Sequence, residues 1–100
     1  MRNTSPSVMQ ASPLWRVEMA PKVKKYLLRH HKDLASFLNT LAKILQNPYR
    51  GVDTEPLRGE NNWYRIKVNG RLRLVYEVWP EKRTIYLAIL GHRDDIYSLV

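Results

Sequence analysis

The segment 63–76 (WYRIKVNGRLRLVY) contains four cations that alternate with apolar residues: Arg65, Lys67, Arg71 and Arg73. Successive residues of a β-strand point to opposite faces, so a strand pair could carry all four cations on one face and apolar residues on the other. Guanidinium groups bind phosphate oxygens in bidentate fashion, so this cluster predicts a site for a phosphate-containing ligand. A solvated outer face that binds no ligand is the alternative at this point.

The dipeptide Asn69-Gly70 predicts a β-hairpin within this segment. A two-residue turn would pair Ile66 with Arg73 and mix cations with core residues on both faces. A three-residue loop, 68–70, with Gly70 in the left-handed position, separates them. In that register Tyr64 opposes Leu74, Ile66 opposes Leu72, Arg65 opposes Arg73 and Lys67 opposes Arg71. We therefore expect a square of four cations on one face of the hairpin, flanked by Trp63.

The residues before the hairpin predict one strand and two helices. Residues 14–19 alternate in polarity, which indicates a strand, and Pro21 suits the first turn of a helix that ends near residue 30. A second helix follows, with Asp33 as its N-cap and Pro48 beyond its end. Its apolar stripe, with steps of three and four, consists of Leu34, Phe37, Leu38, Leu41, Ile44 and Leu45. The short link makes the two helices antiparallel neighbours.

The order of elements predicts an α+β fold. Residues 49–62 are rich in turn-forming residues and are predicted to be a loop. Three strands are expected at about 63–68, 71–79 and 84–90. The resulting order, β-α-α-β-β-β, indicates an antiparallel β-sheet packed on an N-terminal helical hairpin. We expect a single domain over residues 14–100 and a flexible tail over residues 1–13.

The composition narrows the class of protein. The chain of 100 residues has a formal net charge of +8 and no cysteine, which fits a polyanionic partner and excludes disulfides, zinc–thiolate sites and thiol nucleophiles. Residues 21–50 carry seven Lys/Arg and one acidic residue, whereas residues 51–100 carry eight and seven. A site in the second half therefore depends on arrangement rather than net charge. Neither an apolar run of roughly 18 residues nor a signal peptide is present, so we expect a cytoplasmic protein with no membrane partner.

Four motifs follow one another in the second half of the chain: Leu57-Arg58-Gly59, then Trp63-Tyr64-Arg65-Ile66-Lys67-Val68, then Arg71-Leu72-Arg73-Leu74-Val75-Tyr76, and finally Gly91-His92-Arg93 followed by Tyr97. With these motifs, the sequence from Leu57 to Tyr97 resembles the RelE/ParE superfamily of bacterial toxins, and the RelE branch in particular. Each motif is weak by itself, but four in this order and spacing are specific. With the preceding strand and helices, the resemblance covers about residues 14–97.

The resemblance implies a toxin of a type II toxin–antitoxin system. Members of the RelE branch enter the ribosomal A site and cut messenger RNA, with the RNA's own 2′-hydroxyl as the nucleophile. The resemblance therefore implies a ribosome-dependent endoribonuclease that inhibits translation and needs no metal or other cofactor. The partners it implies are a cognate acidic antitoxin, the ribosome and the message.

The resemblance also assigns roles to individual residues. Lys67 would activate the 2′-hydroxyl, Arg73 would stabilise the transition state, Arg93 would protonate the leaving 5′-oxygen, Tyr97 would orient a nucleotide, and Arg58 and Arg65 would contact the RNA backbone. An arginine side chain stays protonated, so electrostatic stabilisation is the safer role for Arg73 and Arg93. Arg71 and Trp63 belong to the predicted RNA-binding surface without a role from the family.

Two departures from the family pattern bear on mechanism and control. His92 is a further catalytic candidate, because an imidazole transfers protons near neutral pH; a structural histidine is the alternative, since alternation places it and Arg93 on opposite sides of a strand. The sequence stops three residues after Tyr97. We therefore expect no C-terminal helix and an antitoxin that covers the cationic patch directly.

Two other functions are open at this stage. One is inhibition of DNA gyrase, as in ParE toxins, which lack the ribonuclease residues; the joint presence of Lys67, Arg73, Arg93 and Tyr97 argues against it. The other is RNA binding without catalysis, through the basic helices and aromatic stacking.

Overall fold

The structure is a computed structural model that describes residues 15–99, with side chains described for residues 15–96. The predicted tail, residues 1–13, lies outside the described residues, as does Leu14 at the start of the predicted first strand. The elements are β1 (Arg16–Met19), α1 (Pro21–Arg29), α2 (Leu34–Gln46), β2 (Thr54–Pro56), β3 (Trp63–Lys67), β4 (Leu72–Trp79), β5 (Thr84–His92) and α3 (Arg93–Leu99). The predicted α+β class is confirmed, and β2 and α3 are additions to the predicted order.

The helical hairpin begins and ends close to the predicted positions. Pro21 is the first residue of α1, and α2 follows a single 3₁₀ turn, His31–Asp33. Asp33 occupies the predicted N-cap position of α2, but its side chain makes no capping bond and instead accepts a hydrogen bond from the Tyr26 hydroxyl at 3.2 Å. Asp33 has the backbone conformation of a helix, whereas a capping residue normally has an extended one.

The apolar stripe of α2 is wider than the surface that the sheet covers. Phe37 and Ile44 are buried, whereas Leu34, Leu38 and Leu45 are 40%, 52% and 38% exposed. Regular spacing predicted the helix correctly, but it overstated how many of its leucines enter the core.

The sheet has five strands in the order β1-β5-β4-β3-β2. The predicted antiparallel pairing holds for every pair of neighbours except β1 and β5, which are parallel, so the sheet is mixed. Alternation of polarity predicts which face a residue occupies, but not which strand is its neighbour or in which direction that strand runs. The edge strand β2 lies within the segment that was predicted to be a loop.

The β3–β4 hairpin has a different register from the predicted one. Lys67 opposes Arg73, Ile66 opposes Leu74 and Arg65 opposes Val75. The connection is wider than a three-residue loop because the Asn69 side chain accepts hydrogen bonds from the backbone N–H groups of Arg71 and Leu72, at 2.9 and 3.0 Å. Among the described glycines only Gly59 has a positive φ, so Gly70 does not take the predicted left-handed position.

The sheet packs on both faces, but unequally. The face against α1 and α2, here called the helix face, carries the main core, whose fully buried members include Val23, Leu74, Tyr76, Ile85 and Leu87. The opposite face, here called the outer face, has a small buried cluster of Leu57, Val75 and Ile96. Ile96 belongs to α3, so the expected absence of a C-terminal helix is wrong. Asp94 and Asp95 in its first turn favour a helix start, because carboxylates stabilise the positive end of the helix dipole.

No helix in the described part of the chain is both long enough and apolar enough to cross a membrane.

Candidate functional site

A surface cleft of about 220 Å³ lies on the outer face of the β3–β4 hairpin. It is called here the cationic cleft, and its lining residues are Val52, Asp53, Glu55, Arg65, Lys67 and Arg73. Three cations of the predicted square therefore meet at one place. The fourth, Arg71, does not line this cleft, because the register moves it into the loop that joins the strands.

Arg73 is the most buried of these cations, with 8% of its surface exposed. Its Nη1 donates hydrogen bonds to the backbone oxygens of Asn69, at 2.9 Å, and Leu72, at 3.0 Å. Within residues 15–96 no carboxylate forms an ion pair with it. A buried cation held only by neutral acceptors is costly, and its charge is poorly screened by solvent. Arg73 is thus prepared to interact strongly with an anion that enters the cleft.

Lys67 lies directly opposite Arg73 across the two strands. Its backbone N–H donates to the backbone oxygen of Asp53 at 3.2 Å. The carboxylate of Asp53 lies 3.9 Å from the ammonium of Lys43. In the described part of the chain the Lys67 ammonium forms no ion pair. Like charges in directly opposed positions destabilise a sheet, so the Lys67–Arg73 pair is a feature that a bound anion would stabilise.

The third cation, Arg65, is partly neutralised by Glu55. Its Nη2 and Nε donate to one oxygen of Glu55 at 2.8 and 3.2 Å. Strand β2 makes this contact, because Glu55 opposes Arg65 in the β2–β3 ladder. Sequence reasoning missed both acidic residues of the cleft. These residues belong to or precede a three-residue strand that ends in proline. So short a strand shows no alternation of polarity that could have predicted it.

Arg93 and Tyr97 belong to α3, which begins at the end of β5. The Arg93 backbone N–H donates to the Arg71 oxygen at 2.7 Å, and Gly91, two residues earlier, opposes Arg73. The start of α3 is therefore beside the cationic cleft. The Arg93 side chain is exposed and lies 3.7 Å from the Asp94 carboxylate. The side chain of Tyr97 lies outside the described residues.

His92 does not face the cationic cleft. It opposes Leu72, whereas Gly91 opposes Arg73, so alternation places His92 on the helix face. There it lines a second cleft together with Arg71. The geometry therefore separates His92 and Arg71 from the three cations of the cationic cleft.

The two remaining predicted residues lie further along the outer face. Trp63, at the far end of β3, packs half-buried against the cluster of Leu57, Val75 and Ile96. Arg58 is exposed in the turn that follows β2, and it does not line the cationic cleft. Gly59, next to it, has a φ of 80°, which only glycine adopts readily.

The cationic cleft can bind a phosphate, and its two opposed cations can stabilise negative charge that develops on it. Among the described residues, His, Asp and Glu form no group that could hold a metal ion.

A family model for the ParE toxin of type II toxin–antitoxin systems (parDE) matches residues 17–97. The chain belongs to this toxin family. The match includes all but the first residue of β1, the other four strands, and all but the last two residues of α3. It therefore includes the elements that build both clefts of the toxin. Membership of the RelE/ParE superfamily, which the sequence motifs predicted, is confirmed.

Solved structures of related toxins share the fold. The RelE of the archaeal RelE–RelB complex from Pyrococcus horikoshii is 24% identical, with 79% of this chain and 94% of that chain covered and a TM-score of 0.67. The isolated E. coli RelE toxin is 23% identical, with 86% and 94% covered and a TM-score of 0.67. A YoeB/ParE toxin from Agrobacterium tumefaciens is 13% identical, with 78% and 98% covered and a TM-score of 0.66. At these identities the similarity establishes the fold of the toxin and not its target.

A search of curated proteins finds no significant match to the toxin.

Proposed function

We propose that the toxin is a metal-independent endoribonuclease that cuts messenger RNA on the ribosome in the cytoplasm and so stops translation. The observation that carries this proposal is the pairing of buried Arg73 with Lys67 across the hairpin, in a cleft large enough for a phosphate group. Neither cation has a carboxylate partner among the described side chains. A protein that used this surface only for solubility would gain nothing from burying an arginine there.

The reaction begins with attack of the 2′-oxygen on the adjacent phosphorus. Lys67 activates the 2′-hydroxyl, whose proton passes to water, and the new oxygen–phosphorus bond gives a phosphorane with additional negative charge. Arg73 and Arg65 hold this phosphate. The Arg73 guanidinium has N–H donors beyond the Nη1 bonds to the backbone. Because Arg73 is already fixed and desolvated, it stabilises the phosphorane without reorganisation.

The step ends when the bond from phosphorus to the 5′-oxygen breaks. The leaving oxygen takes a proton from water, so the products carry a 2′,3′-cyclic phosphate and a 5′-hydroxyl. Arg93, at the start of α3 beside the cleft, stabilises the charge on the leaving oxygen, and Tyr97 of the same helix orients the nucleotide. His92 has no part in this reaction, because it lies on the other face of the hairpin.

The partner that restrains the toxin is a cognate acidic antitoxin. Complexes of similar toxins with their antitoxins, the Pyrococcus horikoshii RelE–RelB and the E. coli RelBE complexes, support this part of the proposal. Residues 21–50 have a net charge of +6, from seven cations and one acidic residue, which favours binding of an acidic protein.

Replacement of Arg73 tests the proposed reaction. We expect Arg73→Ala to lower the rate of cleavage of ribosome-bound message by roughly 10² to 10³ and to restore growth of cells that express the toxin. The measurement is primer extension on translating ribosomes, with analysis of the product ends. The matched control is Arg16→Ala, an exposed arginine on edge strand β1 at the other side of the sheet, which should keep full activity. Circular dichroism and thermal unfolding show whether each variant folds, and Arg73→Lys, which keeps the charge, provides a second variant.

Two results would contradict the ribonuclease proposal. One is full toxicity of a folded Arg73→Ala toxin, and the other is efficient cutting of free RNA without ribosomes, which would remove the ribosome from the mechanism.

Inhibition of DNA gyrase is the second candidate, and the family match favours it because the matching model describes ParE toxins. It predicts inhibited supercoiling by purified gyrase and induction of the DNA-damage response. The ribonuclease proposal predicts neither, so a supercoiling assay with the wild-type toxin separates the two functions.

A further inference from the structure

A second cleft, of about 110 Å³, lies at the loop end of the hairpin on the helix face. It is called here the loop cleft, and its lining residues are Tyr26, His30, Lys32, Asp33, Asn69, Arg71, Leu72 and His92. Its volume is several times the roughly 30 Å³ that one water molecule occupies in the liquid. The cleft is therefore large enough for a tetrahedral oxyanion such as a phosphate group.

The charges around the loop cleft are unbalanced. Two cations, Lys32 and Arg71, and two imidazole rings, His30 and His92, line it, whereas Asp33 is its only acidic residue. The Tyr26 hydroxyl already donates to one oxygen of that carboxylate. Within residues 15–96, neither Lys32 nor Arg71 forms an ion pair. The cleft thus combines several donors with little internal compensation, which is the pattern of an anion site.

The backbone at Arg71 and the ring of His30 are held in place before any ligand arrives. The Asn69 side chain accepts the N–H groups of Arg71 and Leu72, which fixes the loop from which Arg71 projects. The His30 ring stacks on Tyr26 with centroids 4.1 Å apart and an interplanar angle of 29°. Burial and the neighbouring Asp33 raise the pKa of Tyr26, while Arg71 acts in the opposite direction. Arg71 is therefore close enough to the tyrosine for its charge to be felt there.

The loop cleft and the cationic cleft lie back to back at the same end of the hairpin. Leu72 and His92 form one opposed pair, and Arg73 and Gly91 form the next, so adjacent positions face the two clefts. Arg71 bridges them along the chain, and its backbone oxygen accepts the N–H of Arg93. An RNA strand that leaves one cleft and crosses the end of the hairpin would therefore reach the other cleft, with cations along the whole path.

We propose that the loop cleft binds a backbone phosphate of the same RNA strand, next to the phosphate that is cleaved in the cationic cleft, with Arg71, Lys32, His30 and His92 as its donors. This inference rests on the proposed ribonuclease function and extends it. It gives Arg71 and His92 a binding role and leaves the chemistry to Lys67 and Arg73.

The test uses a probe that binds but cannot react. An RNA trinucleotide with 2′-O-methyl groups has no free 2′-hydroxyl nucleophile, and the histidine ring signals of the full-length toxin report on its binding by NMR. We expect the His30 and His92 signals to shift on titration. The signal of His31, which is exposed and lines no part of the loop cleft, should stay in place.

A matched pair of arginine variants tests the cations. Arg71→Gln should weaken trinucleotide binding at least threefold and raise the KM for ribosome-bound message, because it removes a binding contact. The control is Arg16→Gln, which should change neither trinucleotide binding nor the KM. Arg16 pairs with the first residue of β5, whereas His92 is the last residue of that strand, so Arg16 lies at the opposite end of β5. In contrast, Arg73→Ala should lower kcat.

The outcomes separate this inference from the function on which it rests. If the toxin cuts ribosome-bound message and the trinucleotide shifts neither His30 nor His92, the RNA site is wrong and the ribonuclease proposal stands. If both signals shift and no message is cut, the RNA site is supported and the proposed reaction is wrong. Signals that respond to a Glu-rich peptide and not to the trinucleotide would overturn the RNA site in favour of a protein partner.

Discussion

On the helix face of the sheet, Ile85, Leu87 and Tyr76 are fully buried against α1 and α2. On the outer face, by contrast, a buried arginine, Arg73, lies two residues from a buried valine, Val75. The helix face contains a continuous apolar core, and the outer face contains a three-residue cluster beside a group of cations. Burial of apolar area is the main source of stability in small domains. The helix face therefore supplies most of the stability, and the outer face carries the cationic cleft in which the reaction is proposed to occur.

Two isoleucines on β5 test this difference with the largest expected effect on stability. Ile85 is fully buried on the helix face, and Ile89 is half-buried on the outer face. We expect Ile85→Ala to lower the free energy of unfolding by roughly 2–5 kcal/mol, as is usual for a truncated core side chain. Ile89→Ala should cost less than half as much, because less apolar area is removed from contact. Urea unfolding measures both, and equal losses would show that the outer face contributes as much as the helix face.

A hydrogen bond of Tyr76 within the main core provides a test with an intermediate expected effect. Its hydroxyl donates to the Pro48 oxygen at 2.7 Å, so Tyr76→Phe leaves a buried carbonyl without this donor and should cost about 1–2 kcal/mol. Burial raises the pKa of Tyr76 well above the usual value, and a hydrogen bond with Thr54 only partly opposes this.

The raised pKa of Tyr76 gives this contact a pH dependence. The unfolded chain loses the tyrosine proton at lower pH than the folded chain, so stability is complete below pH 10 and falls as the pH rises further, by up to about 1.4 kcal/mol per unit. The phenylalanine variant lacks this loss. The stability advantage of the wild type should therefore shrink as the pH rises above about 10, and a constant difference would contradict the assignment.

The helices and the faces of the strands were predictable because they depend on local periodicity. Alternation along residues 63–76 correctly placed Tyr64, Ile66 and Leu74 on the core side and Arg65, Lys67 and Arg73 on the other. The register was not predictable in the same way. The observed register differs from the expected one by two residues, and such a shift preserves every face assignment. The hydrophobic pattern therefore could not distinguish the two, and the side chain of Asn69 decided between them.

The parts of the site that the sequence did not predict depend on non-local pairing. Glu55 reaches Arg65 only because a three-residue strand pairs with β3, and so short a strand has no detectable period. His92 and Arg71 meet the 3₁₀ turn between α1 and α2 only in the folded chain. The cations themselves were predictable from residue type and spacing, whereas their division between two clefts was not.

The Glu55–Arg65 ion pair gives the smallest expected effect and tests whether the outer face is used for binding. The Glu55 side chain is 61% exposed, so its loss should cost less than about 1 kcal/mol of unfolding free energy. Glu55 nevertheless competes with phosphate for Arg65 and repels a polyanion at the rim of the cationic cleft. Glu55→Gln removes that charge at nearly constant shape, and we expect RNA to bind about three- to fivefold more tightly, with a stronger dependence on salt.

The matched control for this change is Glu81→Gln, in the exposed turn after β4 at the far end of the sheet, which lines neither cleft. Binding of the 2′-O-methyl trinucleotide, followed by fluorescence anisotropy at two salt concentrations, measures both variants. Any general effect of net charge acts on both equally, so only a local effect can make Glu55→Gln the tighter binder. If the two variants bind RNA equally well, Arg65 does not contact phosphate. RNA binding by the outer face would then depend on Lys67 and Arg73 alone.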